Sequence, residues 1–501
     1  MLILALIGSA LMFYLAFPNI VTLQGFSLGG WLFAIPLLFV IDHAPIGKRL
    51  LFGFVCGIFS YACLVHWLMP ISIGGYVLFV LILSLQPAMF ALLGGVPGMT
   101  GGWKLLYYPS LWVMSEAVRA YVMGGFTWSV AYSQAFHPLL IQGASWGGTA
   151  AVSWIMIFVN TAIFLWIKEG VRKRSYVFVC LCVFLMNAVF GLTMLNRKGT
   201  ESNPVCVHAI QPNISREDKL SEALYHQNIS RHLALTRQSM AVSKPDLVIW
   251  PETSFPDDVL TDPVWRHGME QGARDLRVHM LIGSALLQQG KDRNSALLLS
   301  RQGEWTGIYH KRKLVPFSEY QPSDYISKQI ISGLGRRGYN FQAGERPGIF
   351  LMERTLKGSR YDELFGVAIC SEEAYPGLSS DLARRGAGFL VVMLNDGWFK
   401  FPQALMMHAQ MGIFRAVETM RPLVRVSNTG WSVAVDAVGQ RVATSEVGLE
   451  RAGFLSAQLV PGREISIYVK YGDFFTILCS GFVIMTFIVA FIRQREEIWH
   501  G

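Results

Sequence analysis

Long apolar segments dominate the first two hundred residues and constrain the fold of this chain more than any other feature. Each is close to the roughly 20 residues that a helix needs to cross the hydrocarbon core of a bilayer. Because backbone groups have no water to bind inside lipid, such segments favour membrane-spanning helices. We expect seven spans before the middle of the chain and one after it, near residues 3–20, 25–42, 51–70, 75–97, 106–124, 143–167, 176–195 and 473–492.

Two of these segments need separate comment. The fifth contains Glu116 and Arg119, so we expect it to be partly buried against its neighbours or re-entrant. The first lacks a basic start and a small-residue cleavage site, which favours a membrane anchor over a signal peptide.

The composition agrees with a membrane protein. Hydrophobic residues make up 52% of the chain, charged residues only 15%, and the mean hydropathy is +0.37. The formal charge of +9 fits basic cytoplasmic loops. The sequence contains no basic run with interleaved aromatics that would argue for nucleic-acid binding. Seven cysteines without regular spacing indicate neither a disulfide framework nor a metal site, and only Cys206 and Cys370 lie in the less hydrophobic middle.

The basic loops predict the orientation of the chain. Lys48–Arg49, Trp103–Lys104, Lys168–Arg174 and Arg493–Arg495 all fall on one side if the chain starts in the cytoplasm, and the positive-inside rule makes that side cytoplasmic. The intervening long segment then lies on the periplasmic side of a bacterial inner membrane. The predicted domains are 1–196 (about seven transmembrane helices), 197–470 (periplasmic) and 471–501 (a last helix with a short cytoplasmic tail).

The middle segment predicts a layered α/β domain. Short runs rich in β-branched residues alternate with helical stretches near 217–241 and 403–420. In such domains, functional sites form at strand ends. The predicted strands are VCVHAIQ, DLVIWPE, VHMLIGSAL, SALLLSR, LFGVAIC, FLVVMLN, LVRVSN, SVAVD and RVATSE.

Polar residues of catalytic type stand where several of these apolar runs stop. A thiolate nucleophile needs a base for its proton, and attack on a carbonyl needs a cation near the oxyanion that forms. Glu252, Lys311 and Cys370 are one residue of each type. Each also has a structural interpretation. Glu252 would be a strand-end cap, Lys311 a solvated charge in a basic cluster, and Cys370 a packed thiol. The stretches that hold them and their neighbours are DLVIWPETSFP, GIYHKRKLVPFSEYQP, LFGVAICSEEAYPGL and VVMLNDGWF.

The motifs themselves favour the catalytic interpretation. PDLVIWPETSFP, YHKRKLVPFSEY, GVAICSEEAYPG and LNDGWF, in this order, resemble the nitrilase (carbon–nitrogen hydrolase) superfamily over residues 200–465. That resemblance implies a nitrilase-like αββα sandwich attached to a polytopic transmembrane α-helical domain. With the flanking apolar segments and PSLWVMSEAVRAYVMGGFTW, nearly the whole chain is similar to the bacterial apolipoprotein N-acyltransferase family.

The resemblance assigns roles by position. It implies that Glu252 is the general base, that Lys311 stabilises the oxyanion and that Cys370 is the nucleophile. Supporting roles fall on Glu319, Glu372, Asn395 and Trp398, whereas we expect His408, Arg415 and Glu418 to be structural. The chain departs from the family pattern at Ser318, Ser371 and Lys400.

The implied reaction is a two-step acyl transfer without a metal or organic cofactor. An acyl chain passes from a membrane phospholipid to Cys370 as a thioester, and then to the N-terminal diacylglyceryl-cysteine of an apolipoprotein. We expect a monomer in the lipid bilayer, with no nucleic-acid partner.

Three alternatives remain at this stage. The first is a membrane-anchored amidase or nitrilase with the same triad and water as acceptor. The second is a transporter or scaffold with a degenerate periplasmic domain. The third is a platform for a polyprenol glycosyltransferase, for which the sequence after the last span offers no additional domain.

Overall fold

The computed structural model describes residues 1–96, 99–170, 173–197, 203–219, 221–288, 290–316, 318–320, 340–356 and 359–500. The chain divides into two compact units. The first consists of Met1–Arg197 together with Ser466–Gly501, and the second of Lys198–Ile465. The domain boundaries predicted from the sequence remain predictions, because this division into two units does not test them.

The first unit is helical throughout its described part. Five of its helices are long and apolar enough to cross a membrane: Ile46–Leu64, Ile73–Leu93, Ala144–Glu169, Arg174–Leu195 and Phe474–Arg493. Its helices in chain order are α1 (Leu2–Ala16), α2 (Ala34–His43), α3 (Ile46–Leu64), α4 (Ile73–Leu93), α5 (Gly101–Val122), α6 (Pro138–Ile141), α7 (Ala144–Glu169) and α8 (Arg174–Leu195), and after the second unit two more, Ile467–Tyr471 and Phe474–His500.

Three of the eight predicted spans are not among these five long apolar helices. The first two are shorter apolar helices, and the second starts with a 3₁₀ turn, Ser27–Trp31, before α2. The fifth, α5, is helical but carries Lys104, Glu116 and Arg119. The number of membrane crossings therefore remains a prediction.

The charged pair of α5 is buried, as expected for ionisable residues within an apolar helix. Glu116 accepts hydrogen bonds from the Trp112 indole at 3.0 Å and from the backbone N–H of Val130 at 2.9 Å. Arg119 donates to the hydroxyl of Tyr61 at 2.9 Å. These contacts fix α5 to the segments around it.

The second unit contains two six-stranded sheets. Within each sheet the central pairs are parallel and the outer pairs antiparallel, as in β1–β2–β3 and β7–β8–β9. The sheet orders are β12-β1-β2-β3-β4-β5 and β11-β10-β9-β8-β7-β6. The strands are β1 (Val205–Gln211), β2 (Leu247–Ile249), β3 (His279–Gln288), β4 (Lys291–Leu299), β5 (Trp305–His310), β6 (Ile349–Leu356), β7 (Ser359–Ile369), β8 (Phe389–Leu394), β9 (Leu423–Ser427), β10 (Ser432–Val435), β11 (Arg441–Val447) and β12 (Gly453–Leu459).

Helices cover these sheets. The described helices of the unit are α9 (Arg216–Lys219), α10 (Tyr225–Val242), α11 (Pro263–Leu276), α12 (Pro376–Arg384) and α13 (Pro402–Thr419). One apolar core joins the two sheets, for example through Val207 and Leu281 of the first and Val391 of the second. A second core joins the first sheet to α10 and α11 through Ile229 and Met269. This layering confirms the predicted αββα sandwich.

Three strands were not predicted from the sequence. In β5, an edge strand of its sheet, only one of the six positions is fully buried and two are exposed. β6, an edge strand of the second sheet, mixes charged and apolar residues, and β12 is the other edge strand of the first sheet. Cross-strand pairing, rather than local sequence pattern, defines these three.

Candidate active site

Four strands bring the predicted chemistry together at their carboxyl ends. Glu252 follows β2 by three residues, Lys311 follows β5 directly, and Cys370 follows β7 directly. Asn395 follows β8, which is the parallel neighbour of β7 with Ile369 opposite Met393. The carboxyl ends of parallel strands share one edge of a sheet, which is where α/β sites form.

Lys311 lies between two carboxylates. Its Nζ donates a 2.9 Å hydrogen bond to Glu319 Oε1 and lies 3.6 Å from Glu252 Oε1. The side chain is only 1% exposed. Burial alone would lower the pKa of Lys311, but the charges of Glu319 and Glu252 raise it above its usual value. The buried lysine therefore stays an ammonium ion.

Glu252 is held from two sides. The side-chain amide of Asn294 donates to Glu252 Oε1 at 2.7 Å and to Glu319 Oε1 at 3.1 Å, so it bridges both carboxylates. The ammonium group of Lys219 donates to the backbone carbonyl of Glu252 at 2.8 Å. These contacts fix both the backbone and the carboxylate of the predicted base.

Cys370 stands at a sharp turn between β7 and a 3₁₀ segment, Cys370–Ala374. Its φ is +53°, in the left-handed region that non-glycine residues rarely occupy. Such conformations cluster at functional sites. Burial and the neighbouring charge of Glu252 raise the pKa of the thiol, whereas Lys311 lowers it, and the net result is a pKa well above the usual value. Near neutral pH Cys370 is therefore a protonated thiol.

Glu372 fixes this turn to the loop that carries Lys311. Its carboxylate accepts hydrogen bonds from the hydroxyl of Tyr309 at 2.8 Å and from the backbone N–H groups of Arg312 at 2.7 Å and Ile369 at 2.8 Å. The side chain is fully buried. Glu372 thus joins the Cys370 turn to the lysine loop.

A buried charge network lies behind the turn. Glu373 pairs with Arg425 through contacts of 2.8 and 3.0 Å, and its Oε1 lies 3.0 Å from His408 Nε2. The other ring nitrogen of His408 lies 3.4 Å from Asp396. Burial alone would lower the pKa of His408, but Glu373 and Asp396 raise it. This network stabilises the ends of β7, β8 and β9.

The other residues of α13 that were expected to be structural are also buried. Arg415 and Glu418 form an ion pair of 2.8 Å with no exposure of either side chain. Arg415 also donates to the backbone carbonyl of Glu373 at 3.4 Å.

Asn395 and Trp398 line a cleft beside Glu252. The amide of Asn395 donates to the hydroxyl of Thr253 at 3.4 Å, and Thr253 is the residue after Glu252. The guanidinium of Arg216 lies 3.9 Å from the centre of a Trp398 ring. The cleft is lined by Arg216, Lys219, Thr253, Pro256, Asn395, Gly397 and Trp398.

The structure thus brings every predicted site residue into one region of the second unit. Sequence reasoning missed Asn294, Lys219 and Tyr309. A buried asparagine at the entry of an apolar strand is a signal that could have identified Asn294. Nothing in the local sequence marks Lys219, because its partner is a backbone carbonyl 33 residues away. Phe317 of the lysine motif and residues 321–322 lie outside the described residues.

Comparisons with known proteins cover both units. The family description "Carbon-nitrogen hydrolase" matches residues 207–464, and "Apolipoprotein N-acyltransferase N-terminal domain" matches residues 9–162. An apolipoprotein N-acyltransferase of Geobacter metallireducens is 29% identical over 98% of this chain and 95% of its own length. The Thermotoga maritima protein of the same name is 28% identical over 96% and 93%. Among solved structures, a Nesterenkonia amidase shares 16% identity over 55% of this chain and 95% of its own, with a TM-score of 0.39.

Proposed function

The chain belongs to the carbon–nitrogen hydrolase family, and we propose that it is an apolipoprotein N-acyltransferase that works through a Glu252–Lys311–Cys370 triad in two steps. The acyl donor is a membrane phospholipid. The acceptor is the α-amine of an N-terminal diacylglyceryl-cysteine on a lipoprotein.

In the first step, Glu252 takes the proton of the Cys370 thiol while the sulfur attacks the ester carbonyl of the donor. The carbonyl oxygen becomes an oxyanion, which the ammonium group of Lys311 stabilises. The tetrahedral intermediate then collapses, and the carbon–oxygen bond to the glycerol breaks. Glu252 returns the proton to that oxygen, so a lysophospholipid leaves and a thioester remains on Cys370.

In the second step, the neutral α-amine of the acceptor attacks the thioester carbonyl. Glu252 accepts a proton from the nitrogen, and Lys311 again stabilises the oxyanion. Collapse breaks the carbon–sulfur bond, and the sulfur takes the proton back from Glu252. The products are an amide on the lipoprotein and a free thiol.

The placement of Lys311 is the observation that carries this mechanism. The buried ammonium group of Lys311 lies 2.9 Å from Glu319 and 3.6 Å from Glu252. Because Glu319 is the closer partner of the ammonium group, Glu252 is available for proton transfer. The raised pKa of Cys370 makes such a base necessary, because the thiol does not ionise by itself near neutral pH.

The membrane setting supports lipid substrates. The five long apolar helices and the basic loops favour a multi-pass protein of the bacterial inner membrane, with the second unit on the periplasmic side. Digestion of intact spheroplasts with an added protease tests this orientation. Cleavage within residues 203–465 is expected, and protection of that whole segment would contradict the periplasmic placement.

Mass spectrometry of the full-length protein in detergent tests the mechanism. After incubation with a phospholipid, the Cys370 peptide of the wild type should carry the mass of one acyl chain, and this mass should disappear when a diacylglyceryl-cysteine peptide is added. Glu252→Ala and Cys370→Ala should show no adduct, whereas Glu446→Gln, which changes an exposed carboxylate of β11, should behave as the wild type. An adduct from a small amide but not from a phospholipid would support a hydrolase instead.

A further inference from the structure

The cleft beside Glu252 has a positively charged wall that the triad does not use. Arg216 and Lys219, both on the short helix α9, line it together with Thr253 and Trp398. The two other charged residues of α9, Glu217 and Asp218, are exposed and do not line the cleft. The cleft therefore presents one permanent cation, Arg216, and one titratable lysine, Lys219, to whatever enters it.

Both cations are held in place. The indole ring of Trp398 lies under the Arg216 guanidinium at 3.9 Å, an arrangement that restrains the planar group. Lys219 uses one of its three N–H donors on the Glu252 carbonyl. Burial lowers the pKa of Lys219 to about 7, although the charge of Glu252 opposes this, and a bound anion would favour the charged form.

The neutral side of the cleft adds hydrogen-bonding groups. Thr253 offers a hydroxyl and Asn395 an amide, and the two side chains lie 3.4 Å apart. Asn395 lies two residues after Met393, which pairs with Ile369, the residue before Cys370. Since neighbouring strands are about 5 Å apart, the cleft begins close to the nucleophile.

We propose that this cleft binds the phosphodiester group of the phospholipid acyl donor, with Arg216 and Lys219 as its cationic contacts. The inference rests on the proposed function. Only the glycerol unit separates the phosphate of such a lipid from the ester that Cys370 attacks, so a phosphate site next to the base would orient the ester toward the thiol. Arginine suits this role because its fork of N–H donors matches phosphate oxygens.

Donor discrimination measures this contact directly. The full-length protein in detergent is given phosphatidylglycerol or diacylglycerol with the same acyl chains, and the rate of thioester formation on Cys370 is followed for each. The wild type should prefer the phosphate-bearing donor. Arg216→Gln should reduce that preference about tenfold, chiefly through KM, and Arg216→Lys should restore part of it. Arg237→Gln, an exposed arginine of α10, is the matched control and should keep the wild-type preference.

Each outcome decides a separate point. An unchanged preference in Arg216→Gln, or an equal loss with both donors, would overturn the phosphate site while leaving the acyltransferase intact. Strong competition by micromolar inorganic phosphate would also overturn it, because the cleft would then be a site for the free anion. No thioester from either donor in the wild type would instead refute the proposed function itself.

Discussion

The Lys311 ammonium group donates a 2.9 Å hydrogen bond to Glu319, a carboxylate only eight residues further along the chain. The second oxygen of Glu319 accepts from the backbone N–H of Val315 at 2.8 Å, so the loop between the two residues is closed on itself. Glu319 therefore balances and positions the lysine charge. Glu252, at 3.6 Å from Lys311, is then the carboxylate that we propose exchanges a proton with the thiol.

Glu319→Gln should lower kcat for thioester formation about 100-fold with little change in KM, because the lysine loses its positioning partner. Since Glu319 raises the pKa of Lys311, the variant should also lose activity at a lower alkaline pH than the wild type, as its lysine deprotonates earlier. A pH–rate profile up to pH 10 measures both effects. Glu446→Gln should match the wild type, and a pH-independent loss in Glu319→Gln would indicate a purely structural role.

Glu252→Gln should separate the reactivity of the thiol from catalysis. The negative charge of Glu252 is one cause of the raised pKa of Cys370, so its removal should allow iodoacetamide to modify Cys370 at lower pH, although acyl transfer is lost with the base. Lys311→Met should shift modification to higher pH, because a cation that lowers the thiol pKa is removed.

The rate of alkylation of the Cys370 peptide against pH, followed by mass spectrometry, gives the two shifts. Glu446→Gln, changed at an exposed carboxylate of β11, serves as the control and should follow the wild type. Identical pH dependence in the wild type and both variants would contradict the assigned electrostatics.

The layered fold and the three triad positions could be predicted because the information is local. Glu252 and Cys370 follow recognisable apolar runs, whereas Lys311 follows β5, which was not predicted, and its motif alone identified it. The runs VCVHAIQ and FLVVMLN agree with β1 and β8 almost residue for residue. The catalytic interpretation came from the order of motifs, not from any one residue. The roles of these residues remain proposals.

The contacts that support the triad could not be predicted, because they join residues far apart in sequence. Asn294 reaches Glu252 across 42 residues, and Glu372 reaches Tyr309 across 63. Their partners are hydroxyl and backbone N–H groups, which leave no pattern in the sequence. Only the pairing of strands determines which of these groups meet.

Glu372→Gln should destabilise the second unit more than the loss of any single partner. The amide would direct N–H donors at backbone N–H groups of Arg312, Lys313 or Ile369, at a cost of about 3 kcal/mol. Tyr309→Phe removes only one donor and should cost about 1 kcal/mol.

The apparent unfolding temperature in one detergent compares the two variants, and a domain of this size loses roughly 2–4 °C per kcal/mol. The thioester rate of Glu372→Gln should fall as well, because the Cys370 turn loses its connection to the lysine loop. Equal unfolding temperatures for the two variants would show that the carboxylate contributes no more than its hydroxyl contact.

Close packing of α3 on α4 gives a prediction for the helical unit. Gly53 and Gly57 lie one turn apart on α3, a spacing of small residues that lets helices approach closely in membranes. A Cβ on Gly57 would lie 2.7 Å from both Pro87 Cγ and Ser84 Cα of α4. Gly57→Val should therefore force the helices apart and cost about 2 kcal/mol by overpacking.

Gly47→Val is the matched control, because it lies on the same helix and nothing lies within 4 Å of a Cβ at that position. The monodisperse fraction after detergent extraction should fall for Gly57→Val only. An equal fall for both variants would mean that helix propensity, rather than contact with α4, makes glycine necessary at these positions.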